Sequence, residues 1–290
     1  MVVSVRHRYA IVNGQRLFYR EAGREDAPAI VLLHGFPTSS YMFRDLIGHL
    51  AAEYHVIAPD HLGFGYSDMP PATEFDYTFD ALAGLTQGLL DQLGLTRYTI
   101  YVQDYGAPIG WRLALNRPQS ITGIVTQSGN GYDEGFIEDF WTTVWNYQRE
   151  QTVETEAAIR AALDIESVKW QYLTGAPDES LVSPDTWTLD SALLSRPGND
   201  EIQLKLFRDY ATNSPMYPAL HEYLRSSGVP LLAVWGQHDP IFGPDGARAF
   251  ARDAREAEIH LLDGGHFLLE TAVAQVAELI KAFMHRVSAQ

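Results

Sequence analysis

The chain has 290 residues and 46% hydrophobic content, enough for one large α/β domain or two ordinary ones with a sizeable buried core. Its formal charge of −16 argues against nucleic acid and anionic membranes as partners, because both recruit clustered Lys and Arg. The absence of cysteine excludes a disulfide framework, a thiol nucleophile and a Cys-ligated metal.

The N-terminal MVVSVRHRYA has an apolar start but no hydrophobic region of signal-peptide length. No run reaches the roughly 18 to 20 apolar residues of a membrane span, so a cytoplasmic protein is the expectation. Between residues 9 and 20, Asn13-Gly14 separates two alternating apolar runs, which predicts a β-hairpin that starts the sheet. A continuous apolar strand over 29–33 runs into His34-Gly35-Phe36-Pro37, and Thr38 to Ser40 offer caps for a helix through about residue 52. A short buried strand over 56–58 ends in Pro59-Asp60 and the glycine-punctuated HLGFGYSD, and a helix over 79–93 stops at Gly94. The β-branched run from Tyr98 to Val102 then leads through Gln103, Asp104, Tyr105 and Gly106 into a stretch with Ile109 and Leu113 one helical turn apart. That is a strand, a sharp turn and a helix. Such a turn lifts the side chain at its tip, here Asp104, above the sheet edge and aims the next backbone N–H and the positive end of a helix at whatever it touches.

A further strand is predicted over 121–126. From 131 to 226 the chain is rich in Trp, Tyr and acidic residues, with helical stretches broken at Gly175-Ala176-Pro177, Ser183-Pro184, Arg196-Pro197-Gly198 and Ser214-Pro215. The β/α rhythm returns with a strand over 230–235, a helix from about 244, a strand over 258–262 and a last amphipathic helix over 270–287. Strands apolar on both faces and alternating with helices predict an α/β fold with a mostly parallel central sheet flanked by helices. The core is expected over 1–130 and 227–290, with a helical cap insertion over 131–226.

Asp104, Asp239 in WGQHDP and His266 in LDGGHF all fall at the ends of predicted strands, where the carboxyl ends of a parallel sheet form one crevice. Their order, nucleophile then acid then histidine, is the α/β-hydrolase order. On HGFPTSSYMFR at 34–44, APDHLGFGYSD at 58–68, VQDYGAPIGWRLA at 102–114, VWGQHD at 234–239 and GGHFLLE at 264–270, the chain resembles the α/β-hydrolase superfamily over nearly its whole length. Within it the chain is similar to the aspartate-nucleophile branch, which holds haloalkane dehalogenases, epoxide hydrolases and fluoroacetate dehalogenases.

A carboxylate is a poor choice for opening an ester, because attack at a carbonyl gives an anhydride, but it displaces a leaving group from sp³ carbon and leaves an alkyl ester. Asp104 is the expected nucleophile on this logic. His266, oriented by Asp239 through its other ring nitrogen, is the expected base that deprotonates water to hydrolyse that ester. The backbone N–H groups of Phe36 and Tyr105 resemble the family's oxyanion hole, a type of stabilisation worth roughly 3 to 4 kcal/mol per donor. The scheme calls for no metal and no organic cofactor.

The leaving group divides the branch. Dehalogenases of this type hold the halide with a Trp after the nucleophile, plus either an Asn after His-Gly or a second Trp in the cap. This chain has Tyr105 and Phe36 at the first two of these positions, while Trp141 or Trp145 could supply an indole donor. Val102, Gln103 and the stretch DYTF at 76–79 look more like the dehalogenases, and HGFP more like the epoxide hydrolases. Epoxide hydrolases draw a proton for the departing alkoxide from two cap tyrosines. Among Tyr132, Tyr147, Tyr172, Tyr210, Tyr217 and Tyr223, the resemblance favours Tyr217, with Tyr147 as its partner.

The remaining signals read as structure. His34 is expected to fix the HGFP loop, HLGFG lacks the glycine spacing of a phosphate site, and Trp235 lies in a core strand. Asn130 ends the 121–126 strand where some dehalogenases carry the triad acid; as an amide it points back to Asp239, with Asp133 and Glu134 as weaker substitutes. The expectation is an epoxide hydrolase-like enzyme acting on a small, largely apolar organic substrate and releasing a diol. A haloalkane or haloacid dehalogenase is the alternative, and a non-catalytic ligand-binding protein on the same scaffold is the third reading. The sequence leaves the oligomeric state open.

Overall fold

Asn13 and Gly14, at φ of 50° and 82°, turn the chain between β1 (Arg6–Val12) and β2 (Gln15–Ala22) in a computed structural model that describes residues 4–288. The apolar start read at the N-terminus and the outer ends of the expected core segments 1–130 and 227–290 lie partly outside the described residues. Strands β3 (Ala29–Leu33), β4 (His55–Pro59), β5 (Tyr98–Gln103), β6 (Ile121–Gln127), β7 (Leu231–Gly236) and β8 (Glu258–Leu262) follow. They form an eight-stranded sheet in the order β1-β2-β4-β3-β5-β6-β7-β8. The pairs β1 with β2 and β2 with β4 are antiparallel, and every pair beyond β4 is parallel. Helices cover both faces, so β3, β4, β5 and β7 are buried along their whole length and carry mostly apolar residues on both faces, not an alternating pattern.

The helices are α1 (Arg44–Leu50), α2 (Phe79–Gln92), α3 (Gly106–Asn116), α4 (Glu138–Arg149), α5 (Val153–Arg160), α6 (Ile165–Leu173), α7 (Pro184–Leu194), α8 (Asn199–Asp209), α9 (Tyr217–Ser227), α10 (Pro244–Ala249) and α11 (Leu269–Ser288). The helix expected from Thr38 onward begins as a 3-10 turn, Ser40–Phe43, before α1 takes over, because the Ser39 side chain caps the Tyr41 N–H. Thr78 caps α2 by accepting from the Ala81 N–H. Ser183 caps α7 with Pro184 in its first turn, and Gly198, at φ 83°, leads into α8. Helices α4, α5 and α8 pack on one another, as do α6 and α7. α9, although it lies within 131–226, packs on α3 and buries Leu220 and Leu224, so it belongs to the layer against the sheet. Among the described residues no helix is long and apolar enough to cross a membrane.

The turn between β5 and α3 positions the site. Asp104 sits at φ 48°, a left-handed conformation that costs a side-chain-bearing residue of order 1–3 kcal/mol. Its N–H donates to the Ser128 carbonyl at the end of β6, 3.3 Å away. Gly106 opens α3 directly against β3, and a Cβ there would stand 2.1 Å from the Leu33 carbonyl oxygen. The Gly106→Ala variant is therefore expected to lose about 3 kcal/mol of unfolding free energy, since only backbone could give way. Urea denaturation measures this, and an unchanged midpoint contradicts the close approach.

Candidate active site

Four adjacent strands deliver four polar side chains to one crevice: Asp104 beyond β5, Ser128 beyond β6, Asp239 beyond β7 and His266 beyond β8. Asp104 Oδ1 accepts from the Phe36 N–H at 2.7 Å and from the Tyr105 N–H at 2.6 Å. The Phe36 donor sits this close because position 35 is glycine: a Cβ on Gly35 would meet Asp104 Oδ1 at 2.5 Å and Asp104 Cβ at 2.3 Å. Burial pushes the Asp104 carboxyl up to about 6, against the charge of His266 and the two N–H donors, while the Asp239 charge adds to the rise.

His266 is buried, and its Nδ1 lies 3.0 Å from Asp239 Oδ2 and 3.2 Å from Oδ1. Asp239 Oδ2 also accepts from the Ser128 hydroxyl at 2.6 Å, and Oδ1 from the N–H groups of Ile241 and Phe242 at 2.8 and 3.0 Å. These donors fix the carboxylate, and the carboxylate makes Nδ1 the nitrogen that carries a proton. Burial alone would lower the proton affinity of His266; the charge and hydrogen bond of Asp239, with the charge of Asp104, outweigh it and raise it. The other ring nitrogen, Nε2, stands 2.9 Å from the side-chain nitrogen of Gln103. Gln127 braces the arrangement: its amide donates to the His266 carbonyl at 2.8 Å and to the Ser128 hydroxyl at 3.0 Å, and its oxygen accepts from Tyr101 at 3.0 Å.

Aromatic rings cluster about Tyr105, the residue after Asp104. The Tyr105 ring lies 5.9 Å from Phe36, 6.3 Å from Phe207 and 5.8 Å from Tyr210. Its hydroxyl is buried without a partner among the described residues, and burial with the Asp104 charge pushes this phenol well up. Tyr210, just after α8, is also pushed up, by burial first and then by Tyr217, Asp104 and Tyr105. Outside this cluster, a cavity of about 670 Å³ opens among α4, α5 and α6, lined by Phe140, Val144, Ile159, Trp170 and Phe207, with Asp139, Asp164 and Glu166 also on its wall.

Asp104, His266, Asp239, Phe36 and Tyr105 thus come together, whereas the expected leaving-group residues are placed differently. Tyr217 stands a layer back, with the Tyr210, Ser214 and Asn130 side chains around its hydroxyl; Tyr210, seven residues earlier in the chain, is the tyrosine that packs beside Tyr105 and feels the Asp104 charge. Tyr147 is turned toward Glu156, Arg208 and Arg160 between α4, α5 and α8. Trp141 lies against Tyr210, with ring centres 4.7 Å apart, but its N–H donates to the Ile241 carbonyl at 3.0 Å and is spent there. Trp145 is half-buried beside Phe136, with ring centres 6.0 Å apart. Asn130 closes on the backbone of Tyr132, and Glu134 pairs with Arg252 at the surface. His34, held by burial near 4 and hydrogen-bonded to the backbone of Gly35 and His61, fixes the loop. Among the described residues no three His, Asp or Glu side chains gather as a metal site. From the sequence Ser128 carried no role, Gln103 only a likeness to the dehalogenases, and Tyr210 was one of six tyrosines without being the one favoured, although Ser128 and Gln103 carry the same signal as Asp239, a polar residue ending a buried strand.

Residues 28–273 match the family model of the alpha/beta hydrolase fold. The chain is 43% identical over 282 residues to Uncharacterized hydrolase YNR064C of Saccharomyces cerevisiae, spanning 96% of this chain and 97% of that one. It is 30% identical over 286 residues to a haloalkane dehalogenase of Mycobacterium marinum, spanning 91% and 87%. The crystal structure of haloalkane dehalogenase DbeA from Bradyrhizobium elkani superposes with a TM-score of 0.83 at 26% identity, covering 99% of both chains.

Because the Asp104 carboxyl is raised from 3.8 to about 6, the folded protein binds its proton more tightly than the unfolded chain, and stability falls as pH rises through that window. Asp104→Asn escapes this loss. At about pH 7.5 it is expected to be more stable than wild type by about 2–3 kcal/mol, with the gap closing towards about pH 4. Urea denaturation across that range checks it, and a variant no more stable than wild type at the higher pH contradicts it.

Proposed function

We propose, since this chain belongs to the alpha/beta hydrolase fold family, that it is a hydrolase that opens epoxides through an ester on Asp104 and releases diols. Oδ1 of Asp104 is held by two N–H groups, which leaves Oδ2 as the attacking oxygen. It forms a bond to an sp³ carbon as the ring C–O bond breaks, and the departing oxygen takes a proton from a phenol. His266 then takes a proton from water, and the hydroxide adds to the ester carbon. The oxyanion develops on Oδ1 between the N–H groups of Phe36 and Tyr105. Collapse expels the product oxygen, which takes the proton from His266, and the proton left on the regenerated carboxyl returns to the phenoxide.

The charge coupling orders these steps. The Asp104 charge is one of the influences that raise the proton affinity of His266. Esterification removes that charge, so the proton affinity of His266 falls and more of it stands neutral, in the form that can take a proton, when the ester needs water.

The observation that carries the epoxide reading is a pair of neighbouring phenols that feel the Asp104 charge: Tyr105, whose buried hydroxyl has no partner among the described residues, and Tyr210, its ring 5.8 Å from that of Tyr105. An alkoxide needs a proton, and two tyrosines supply one. The aromatic cluster suits a small, largely apolar substrate, and helices α4 to α8 act as the cap that closes over it. The second reading, haloalkane dehalogenation, is favoured by the Mycobacterium marinum relative, and a phenol O–H can hold a halide. Within the alternative, a haloacid fits less well than a neutral haloalkane, because the cation that acts on Asp104 is His266 and the other charge there is Asp239.

His266→Gln, exposed to panels of epoxides and 1-haloalkanes, is expected to accumulate an adduct that peptide mapping assigns to Asp104. Epoxides, not haloalkanes, are expected to give wild-type turnover, with Tyr105→Phe and Tyr210→Phe each slowing ring opening by about a hundredfold. Halide release without diol formation moves the assignment to the second reading. Turnover of any substrate with no adduct on Asp104 overturns the mechanism, and binding without turnover, indifferent to Asp104→Asn, supports the ligand-binding reading.

A further inference from the structure

We infer that Gln103 is the positioning residue for the catalytic nitrogen of His266, its amide turning over as that nitrogen gains and loses a proton. This rests on the reading of His266 as the base of ester hydrolysis and names the group that serves it.

Gln103 is the last residue of β5, is wholly buried, and stands immediately before Asp104. With Nδ1 of His266 committed to Asp239, the ring faces Gln103 through Nε2 alone, at 2.9 Å. A neutral imidazole presents its one lone pair there, and in the resting site the amide N–H₂ donates to it, so the amide must turn off that lone pair before water can use it. An imidazolium presents an N–H, against which an amide nitrogen would set donor against donor. A half-turn of the amide exchanges its nitrogen for its oxygen, which then accepts. That half-turn sacrifices nothing on the oxygen side, because Gln103 Oε1 is buried without a hydrogen-bond partner among the described residues. The oxygen lies against Gly35, where a Cβ would approach it to 2.7 Å, so the same glycine that admits Asp104 leaves room for the amide.

The other groups around His266 cannot do this. Asp239 and Asp104 are the charged groups that act on the ring, Ser128 reaches it only through Asp239, and the rings of Phe242 and Phe267 complete its surroundings at 6.1 and 5.1 Å. A carboxylate at 103 would bind only the protonated ring, and an alkyl group neither form. An amide serves both states between which a general base must pass.

The role predicts a split between two steps. Attack by Asp104 does not use His266 Nε2, whereas ester hydrolysis does. In single turnover, Gln103→Leu is expected to form the ester within about twofold of the wild-type rate and to hydrolyse it at least about tenfold more slowly. Gln103→Glu is expected to shift the pH dependence of hydrolysis upward by at least about one unit, because the added carboxylate holds the proton on the ring. Equal slowing of both steps, or none, overturns the inference. A second arm needs no substrate: nitrogen-resolved NMR of imidazole-labelled full-length protein is expected to show the His266 titration at least about one unit higher in Gln103→Glu than in Gln103→Leu. Coincident titrations in the two variants and wild type also overturn it. If His266→Gln traps no ester from any substrate that wild type turns over, the ester mechanism has failed, and the NMR comparison still decides the contact between Gln103 and His266.

Discussion

The carboxylate of Asp104 is buried at the tip of a turn that no ordinary aspartate adopts without cost, and two backbone N–H groups hold one of its oxygens. Much of the sheet geometry near the crevice serves that contact. β3 pairs with β5 in parallel, Leu33 beside Val102, so the chain leaving β3 passes directly over the chain leaving β5 and brings the Phe36 N–H to Asp104. Gly35 and Gly106 let the two backbones approach, one on each side of the turn. Burial of the charge still outweighs what the donors and His266 return, since the carboxyl is held near 6 and not at its ordinary value. The site is therefore a place where the fold gives up stability, offset by the buried, largely apolar strands beneath it.

The same strand order accounts for the support around His266. Because β5, β6, β7 and β8 are neighbours, their carboxyl ends present Asp104, Ser128, Asp239 and His266 in one row. Ser128 stands at φ 52°, its carbonyl accepting from Asp104 and its hydroxyl donating to Asp239, so it ties the expected nucleophile to the expected triad acid. Tyr101 and Gln127 carry the tie inward to the backbone of His266. A base held this way keeps its tautomer and its orientation, and what remains free to respond to protonation is the neighbour of Nε2, the amide of Gln103.

How much of this was legible depended on the range of the signal. Asn13-Gly14, the helix stopping before Gly94 and the strand–turn–helix at Asp104 are local, and each is formed much as read. Asp239 and His266 were legible because a polar residue closing an apolar strand has few structural reasons to be there. Ser128 and Gln103 bear the same mark and lacked only a familiar chemical type. The aromatic residues of the insertion were not legible in this way: their roles depend on how α4 and α8 roll against the core. Tyr210, its ring 5.8 Å from that of Tyr105, and not Tyr217 feels the Asp104 charge, and the N–H of Trp141 is taken by the Ile241 carbonyl, a partner 100 residues away.

The central claim is that the oxygen first transferred to substrate comes from Asp104 and not from water. Single turnover of excess wild-type enzyme in ¹⁸O-labelled water, with mass analysis of product and of the Asp104 peptide, reads it directly. The account predicts unlabelled product oxygen at the attacked carbon and one ¹⁸O incorporated at Asp104. Label in the first-turnover product, with Asp104 unlabelled, would mean that water attacks the substrate itself and would contradict the account.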